Sequence, residues 1–268
     1  MPLQAERWKV EKDAMTTLPR QVGVIVVGHG ERGRDFSNAI LRGHAKAVGA
    51  ALPGTPVSAG VLSGLPTIEA ALATVANSGA HRILVYPYFM AAGFFVGTKI
   101  PKRIANAGYA GRCRVLAPLG ADPGLPALVM RKAVAVAESE LGHAPRSCRL
   151  LLVGHGSKVS RASAEATEAV GAELRAMSRF ATVVTAYLEE APFLDEVIPA
   201  DATPTVIVGF FNGDGLHAGE DVPEAMAAAV GPVAYTGAIG AMPEVAGLIA
   251  NAVEIAVAEF NRQLTGAG

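Results

Sequence analysis

Charge is sparse in this chain. Asp, Glu, Lys and Arg make up 18% of its 268 residues and nearly cancel, leaving a formal net charge of −1. A chain so close to neutral carries no electrostatic footprint for nucleic acid, so any anion it binds must be met by local clusters of cations. Cysteine is scarcer still. Cys113 and Cys148 are the two present, and neither belongs to a Cys-x-x-Cys or similar spacing. That excludes a zinc ribbon or a disulfide scaffold and leaves two structural thiols, as expected of a reducing cytoplasm. No run approaches the ~20 continuous apolar residues of a membrane helix. The opening stretch mixes Glu6, Lys9, Glu11 and Lys12 with isolated apolar residues, so it lacks the apolar core of a signal peptide. Residues 1–20, with the only tryptophan, Trp8, read as a tail or short helix. A cytoplasmic chain with neither a membrane nor a nucleic-acid partner is expected.

What is abundant is apolar. Hydrophobic residues are 51% of the chain, ample for substantial cores, and its glycines and prolines are scattered rather than clustered. Short β-rich runs alternate with longer alanine-rich stretches. Residues 22–28 (VGVIVVG) read as a buried parallel strand, continuous and apolar rather than alternating. Helix is expected over 37–51, strand over 57–62, helix over 67–78, strand over 82–88, helix over 98–107, strand over 114–118 and helix over 125–141. The order then restarts: strand 149–154, helix 162–177, strand 182–188, a short helix 193–198, strand 205–211, helix 222–230, strand 233–236 and helix 243–263. Such βα alternation calls for parallel sheets with helices on both faces.

The duplication extends to individual residues. Val27-Gly28-His29-Gly30 recurs as Val153-Gly154-His155-Gly156, 126 residues on, and Ile100-Pro101 recurs as Val222-Pro223, 122 residues on. The expected fold is therefore α/β: two tandem similar lobes, each a parallel sheet of about four strands. The N-terminal lobe is assigned to residues 21–144 and the C-terminal lobe to 145–268. Two such lobes facing each other form a cleft, and open parallel sheets bind ligands beyond the carboxyl ends of their strands, where both Gly-His-Gly motifs fall.

Three strand ends of the second lobe carry the candidate chemistry. His155 sits between two glycines that let the backbone turn sharply. Glu189 ends the next strand, with Glu190 beside it expected to be solvated. His217 lies in a glycine-rich loop that enters a helix whose first turn carries Glu220 and Asp221, read as helix N-terminal charges. Strand spacing of ~4.8 Å brings such tips within reach of one another. Two imidazoles and a carboxylate suit Fe²⁺, Co²⁺, Ni²⁺ or Zn²⁺, and either group can take up protons near neutral pH. The first lobe differs. It keeps His29, but Ser63 stands where the second has Glu189, and Phe95, next to Phe94, stands where the second has His217. That set is poor for a metal and well suited to packing a flat conjugated ligand.

With these motifs in place, the Gly-His-Gly pair, AYLEEAP over 186–192 and GLHAGEDVP over 215–223, the chain resembles the class II chelatases. Within them it is most similar to the CbiX-type sirohydrochlorin cobaltochelatase and ferrochelatase group. The resemblance runs from about residue 23 to residue 260. It implies two chelatase-like lobes sharing a cleft for sirohydrochlorin, with Co²⁺ or Fe²⁺ (Ni²⁺ as a further option) as a substrate and no prosthetic group. His155 and His217 would handle the metal, with Glu189 as the acidic third ligand and proton acceptor; the first lobe would be degenerate, His29 a secondary contributor. The tetrapyrrole's carboxylates would be clamped by cations near the rim: Lys158 and Arg161 in the second lobe, and Arg32, Arg34, Lys99, Lys102 and Arg103 in the first. His44, His81 and His143 read as structural. One chain can complete the cleft, so a monomer suffices. Two alternatives remain open: a carrier of tetrapyrrole or metal that does not turn over, and a histidine phosphatase-type enzyme, which the first lobe's lack of a second histidine disfavours.

Overall fold

The computed structural model describes residues 22–31, 37–198, 201–213, 215 and 217–265, with backbone alone at 217 and 263–265. The first half contributes β1 (Val22–Gly28), α1 (Ala39–Ala51), β2 (Val57–Val61), α2 (Ile68–Asn77), β3 (Arg82–Pro87), α3 (Ile100–Asn106), β4 (Cys113–Val115) and α4 (Leu125–Ser139). The second contributes β5 (Arg149–Gly154), α5 (Ala162–Ala176), β6 (Thr182–Tyr187), α6 (Leu194–Val197), β7 (Thr205–Gly209), α7 (Val222–Met226), β8 (Val233–Ala238) and α8 (Val245–Thr265). The strands form two four-stranded sheets, ordered β2-β1-β3-β4 and β6-β5-β7-β8, and every pairing is parallel. The tandem α/β architecture read from the sequence is the one observed.

The continuous apolar strands serve two cores at once. Successive side chains point to opposite faces, so Val24 and Val26 of β1 face inward while Ile25 and Val27 face outward. In β5, Leu150 and Leu152 face inward, and Leu151 and Val153 outward. The inward faces of both sheets belong to a single hydrophobic cluster filled by α1, α4, α5 and α8. Helices α2 and α3 cover the outer face of the first sheet, and α6 and α7 that of the second.

The fourth helix of each half is exchanged. α4 packs on β7, β8 and α5, while α8 packs on α1 and β3. The repeat puts the lobe boundary at 144/145, but the packing runs straight across it. Polar ties reinforce the shared layer. His44 Nε2 donates to Gly240 O at 2.9 Å, Tyr88 Oη donates to the same carbonyl at 2.8 Å, and Asn212 Nδ2 donates to Tyr88 O at 3.0 Å. His44 is buried and structural, as its position in the sequence suggests.

Several element ends depart from the sequence reading, and three of the departures have a clear local form. β4 is shorter than the 114–118 strand expected of it. α7 stops at Met226, and the chain continues to Ala229 in tighter turns, each N–H bonded three residues back. The third helix of each half opens with a turn of π-helix, Phe95–Lys99 and His217–Asp221. In the first, the Ile100 N–H reaches back five residues to Phe95 O, and Pro101 next to it has no N–H to restore ordinary α spacing.

Candidate active site

Both Gly-His-Gly motifs stand at the carboxyl end of the central strand of their sheet, where Gly28 pairs with Val61 and Gly154 with Tyr187. Each loop turns on a glycine with positive φ, Gly30 at 103° and Gly156 at 73°. A Cβ on Gly30 would lie 1.9 Å from Ser63 O, and one on Gly156 would lie 3.0 Å from Glu190 Cγ and from Tyr187 Cβ. Only glycine meets both the backbone and the space requirement. His81 and His143 precede β3 and β5, at the opposite, amino ends of the parallel strands.

In the second half His155 is half-buried, with Nδ1 3.0 Å from Gly156 O. A carbonyl can only accept, so this contact is made by a proton on Nδ1. The end of β6 is fastened to the same loop: the Glu189 N–H donates to His155 O at 3.0 Å, and its side chain is partly exposed. Glu190, expected to be solvated, is instead half-buried and accepts the Ser157 N–H at 3.0 Å through Oε1. A carboxylate beside an unfilled backbone donor in a tight loop is drawn to it; the signal in the sequence was only that two acids adjoin at one strand end. His217 begins the π-turn after β7, the strand on the other side of β5, and its side chain lies outside the described residues. Among the described residues no three His, Cys, Asp or Glu side chains converge as a metal site.

The first half shows how the corresponding positions are placed. His29 Nδ1 lies 3.3 Å from Gly30 O, and the Ser63 N–H donates to His29 O at 2.9 Å, repeating the Glu189–His155 bond. Phe95, first residue of its π-turn, packs edge-on against His29 with ring centroids 4.8 Å apart. It stacks on Phe89 at 6.1 Å and adjoins Phe94 at the same separation. Phe94 is 61% exposed and Phe95 39%, a ledge of bare aromatic surface. Lys99 Nζ stands 5.3 Å above the Phe94 ring.

The halves interlock around this rim. Gly93 approaches Ala162 at the start of α5, and Gly213 approaches Ile40 in α1. A pocket of about 130 Å³ beside His29 is lined by Glu31, Asn38 and Tyr88 of the first half and by Asn212 and Gly213 of the second.

The cations divide. Lys158, Arg161, Lys99 and Lys102 are exposed. Arg103 is not available as a clamp: it pairs with Glu69 and donates to Leu62 O at 3.1 Å. That guanidinium holds the Glu69 carboxyl down at about 2, so Arg103 braces the end of β2. Arg32 and Arg34 lie outside the described residues. The two thiols are both free, and burial pushes Cys113 up to about 11 and raises Cys148 as well.

Comparison with known proteins bears on the fold and the family. The family model described as CbiX matches the chain twice, over residues 23–135 and 149–256. A solved CbiX, described as the terminal enzyme for biosynthesis of siroheme in denitrifying bacteria, matches with a TM-score of 0.75 at 29% identity, covering 87% of this chain and 99% of its own. SirB from Bacillus subtilis, solved with Fe³⁺, has the same fold: TM-score 0.75, 22% identity, 91% of this chain and 98% of its own. A probable sirohydrochlorin cobaltochelatase of Halobacterium salinarum is 30% identical over 109 residues, which is 40% of this chain. The matched stretch spans 36% of that relative's length.

Proposed function

The chain belongs to the CbiX family, and on that footing we propose that it is a sirohydrochlorin chelatase, inserting Co²⁺ or Fe²⁺ in one working site in the second half. The carrying observation is the asymmetry of the repeat. Both halves fasten a glycine-flanked histidine to the neighbouring strand end by the same backbone bond. Only the second has Glu189 at that strand end and a histidine where the first has Phe95. Because Phe95 packs against His29, the repeat argues that position 217 stands beside His155.

Metallation exchanges two pyrrole protons for one divalent ion. In this reading His155 and His217 deliver the ion, a substrate, to one face of the macrocycle. Glu189 acts as the third ligand and accepts one departing proton, and the other leaves to solvent. Phe94 and Phe95 offer the flat wall, His29 stands at its edge, and Lys158 and Arg161 meet ring carboxylates from the second half. The named relatives point to both metals, siroheme for one and cobalt for the other. One chain suffices for the cleft, because its rim is built from both halves. The two free thiols suit the cytoplasm.

Absorbance of sirohydrochlorin with Co²⁺ or Fe²⁺ tests the reading. Wild type is expected to turn over many times, which a carrier does not. His155→Ala and His217→Ala should each lose activity on the order of 100-fold or more, His29→Ala much less. Full activity in His217→Ala rejects the site, and a larger loss in His29→Ala moves it to the first half.

A further inference from the structure

One backbone donor is treated differently in the two halves. It is the N–H two residues past each motif histidine, on Glu31 and on Ser157. In the first half it is satisfied within its own loop: Glu31 N–H donates to Asn38 Oδ1 at 2.9 Å, and Asn38 N–H returns a bond to Glu31 Oε2 at 2.9 Å. In the second half the repeat puts Ala164 at the Asn38 position, so that acceptor is gone. The Ser157 N–H goes instead to Glu190 Oε1 across the strand ends. Glu190 is the repeat counterpart of Gly64, which has no side chain to offer.

We infer that Glu190 is a positioning residue of the second half, a strap that locks the β6 end bearing Glu189 to the loop bearing His155. The inference rests on the chelatase reading for what the strap serves, though the strap itself is a matter of geometry. The two loops already share the Glu189 N–H to His155 O bond, just before Gly156 in the chain. The Glu190–Ser157 bond adds a second tie one peptide further on, with Gly156 between the two, a Cβ on which would lie 3.0 Å from Glu190 Cγ. Ser163 Oγ accepts the Gly156 N–H at 3.2 Å and holds the same turn from α5. The backbone carbonyl that fixes the His155 tautomer, Gly156 O, is therefore immobilised from both flanks. In the first half Asn38 both accepts the Glu31 N–H and carries a link across to the β2 end, its Nδ2 donating to Leu65 O at 2.9 Å; with Ala164 in its place, the second half makes the cross-link through Glu190. The ligands of a metal site are tuned through partners of this kind.

The test separates strap from charge. Glu190→Gln keeps an oxygen that accepts the Ser157 N–H; Glu190→Ala removes it. Solvent exchange of the Ser157 amide, followed by NMR, should be on the order of tenfold or more faster in Glu190→Ala and unchanged in Glu190→Gln. The kcat for metal insertion should fall roughly 10–100-fold in Glu190→Ala, with KM for sirohydrochlorin little altered, and should be restored in Glu190→Gln. Equal exchange in Glu190→Ala and wild type overturns the strap. Fast exchange with wild-type kcat overturns its positioning role, and loss of kcat in both variants assigns Glu190 to the charge of the site instead. A wild-type chain that inserts neither ion rejects the chelatase reading, while the exchange comparison still decides the strap.

Discussion

Gly156 concentrates the constraints of the site in one residue. Its φ of 73° costs an L-residue about 1–2 kcal/mol, and an added methyl would press on Glu190 and Tyr187. Gly247, on the exposed face of α8, has open space around it. Thermal unfolding should thus resolve the two glycines with opposite signs. Gly156→Ala should lower the midpoint by roughly 2–8 °C and reduce metal insertion, because the loop must move. Gly247→Ala, in the first turn of α8, should raise it slightly, by less than the ~0.5–1 kcal/mol that helix interiors gain on replacing glycine. Equal effects from the two substitutions would show that the positive φ is not a constraint.

At the scale of elements, α1 meets the turn before α8 through one titratable side chain. Burial pushes His44 below its usual 6.5, partly opposed by its bond to Gly240 O. A histidine held neutral in the folded chain binds fewer protons than it does unfolded. Its contribution is therefore complete above pH 6.5 and is lost as pH falls from there toward its depressed folded value. Unfolding midpoints measured from pH 8 down to pH 5 should fall more steeply in wild type than in His44→Gln; parallel curves would contradict the linkage. The elements themselves were largely legible in the sequence, because strands such as VGVIVVG and RLLLVG are unbroken apolar runs ended by glycine. The exchange of α4 and α8 was not. An alanine-rich amphipathic helix specifies that one face is buried, not whose sheet buries it. The Glu190 strap was invisible for a related reason: it answers a backbone N–H, and backbone donors leave no mark in sequence. His155 and Glu189 stand out as candidates because the repeat compares each with a counterpart, His29 and Ser63, and the same comparison sets Phe95 against His217.

For the whole molecule, the shared inner core predicts a single unfolding event. Each sheet buries its inner face under helices drawn from both halves, so neither half is complete alone. Calorimetric and van't Hoff enthalpies should agree. Residues 145–268 expressed alone, lacking α4 over β7 and β8, should not give a cooperative transition; a sharp one would mean that the halves are independent.

The exchanged helices also bear on where the polypeptide could begin. α8 ends beside the start of the first sheet: Phe260 lies under the Arg82 guanidinium at 4.3 Å, Arg82 pairs with Val22 in the adjoining strand, and all three line one pocket. The segment between α4 and β5 makes the corresponding link for the other sheet, and it passes through Gly142, whose surroundings are open. Among the described residues, the helices and strands thus bring the end of α8 back beside β1 much as they bring α4 to β5. Joining the end of α8 to β1 by a short flexible linker and reopening the chain near Gly142 should yield a circular permutant with the same cleft, in which the half holding His155 is synthesised first.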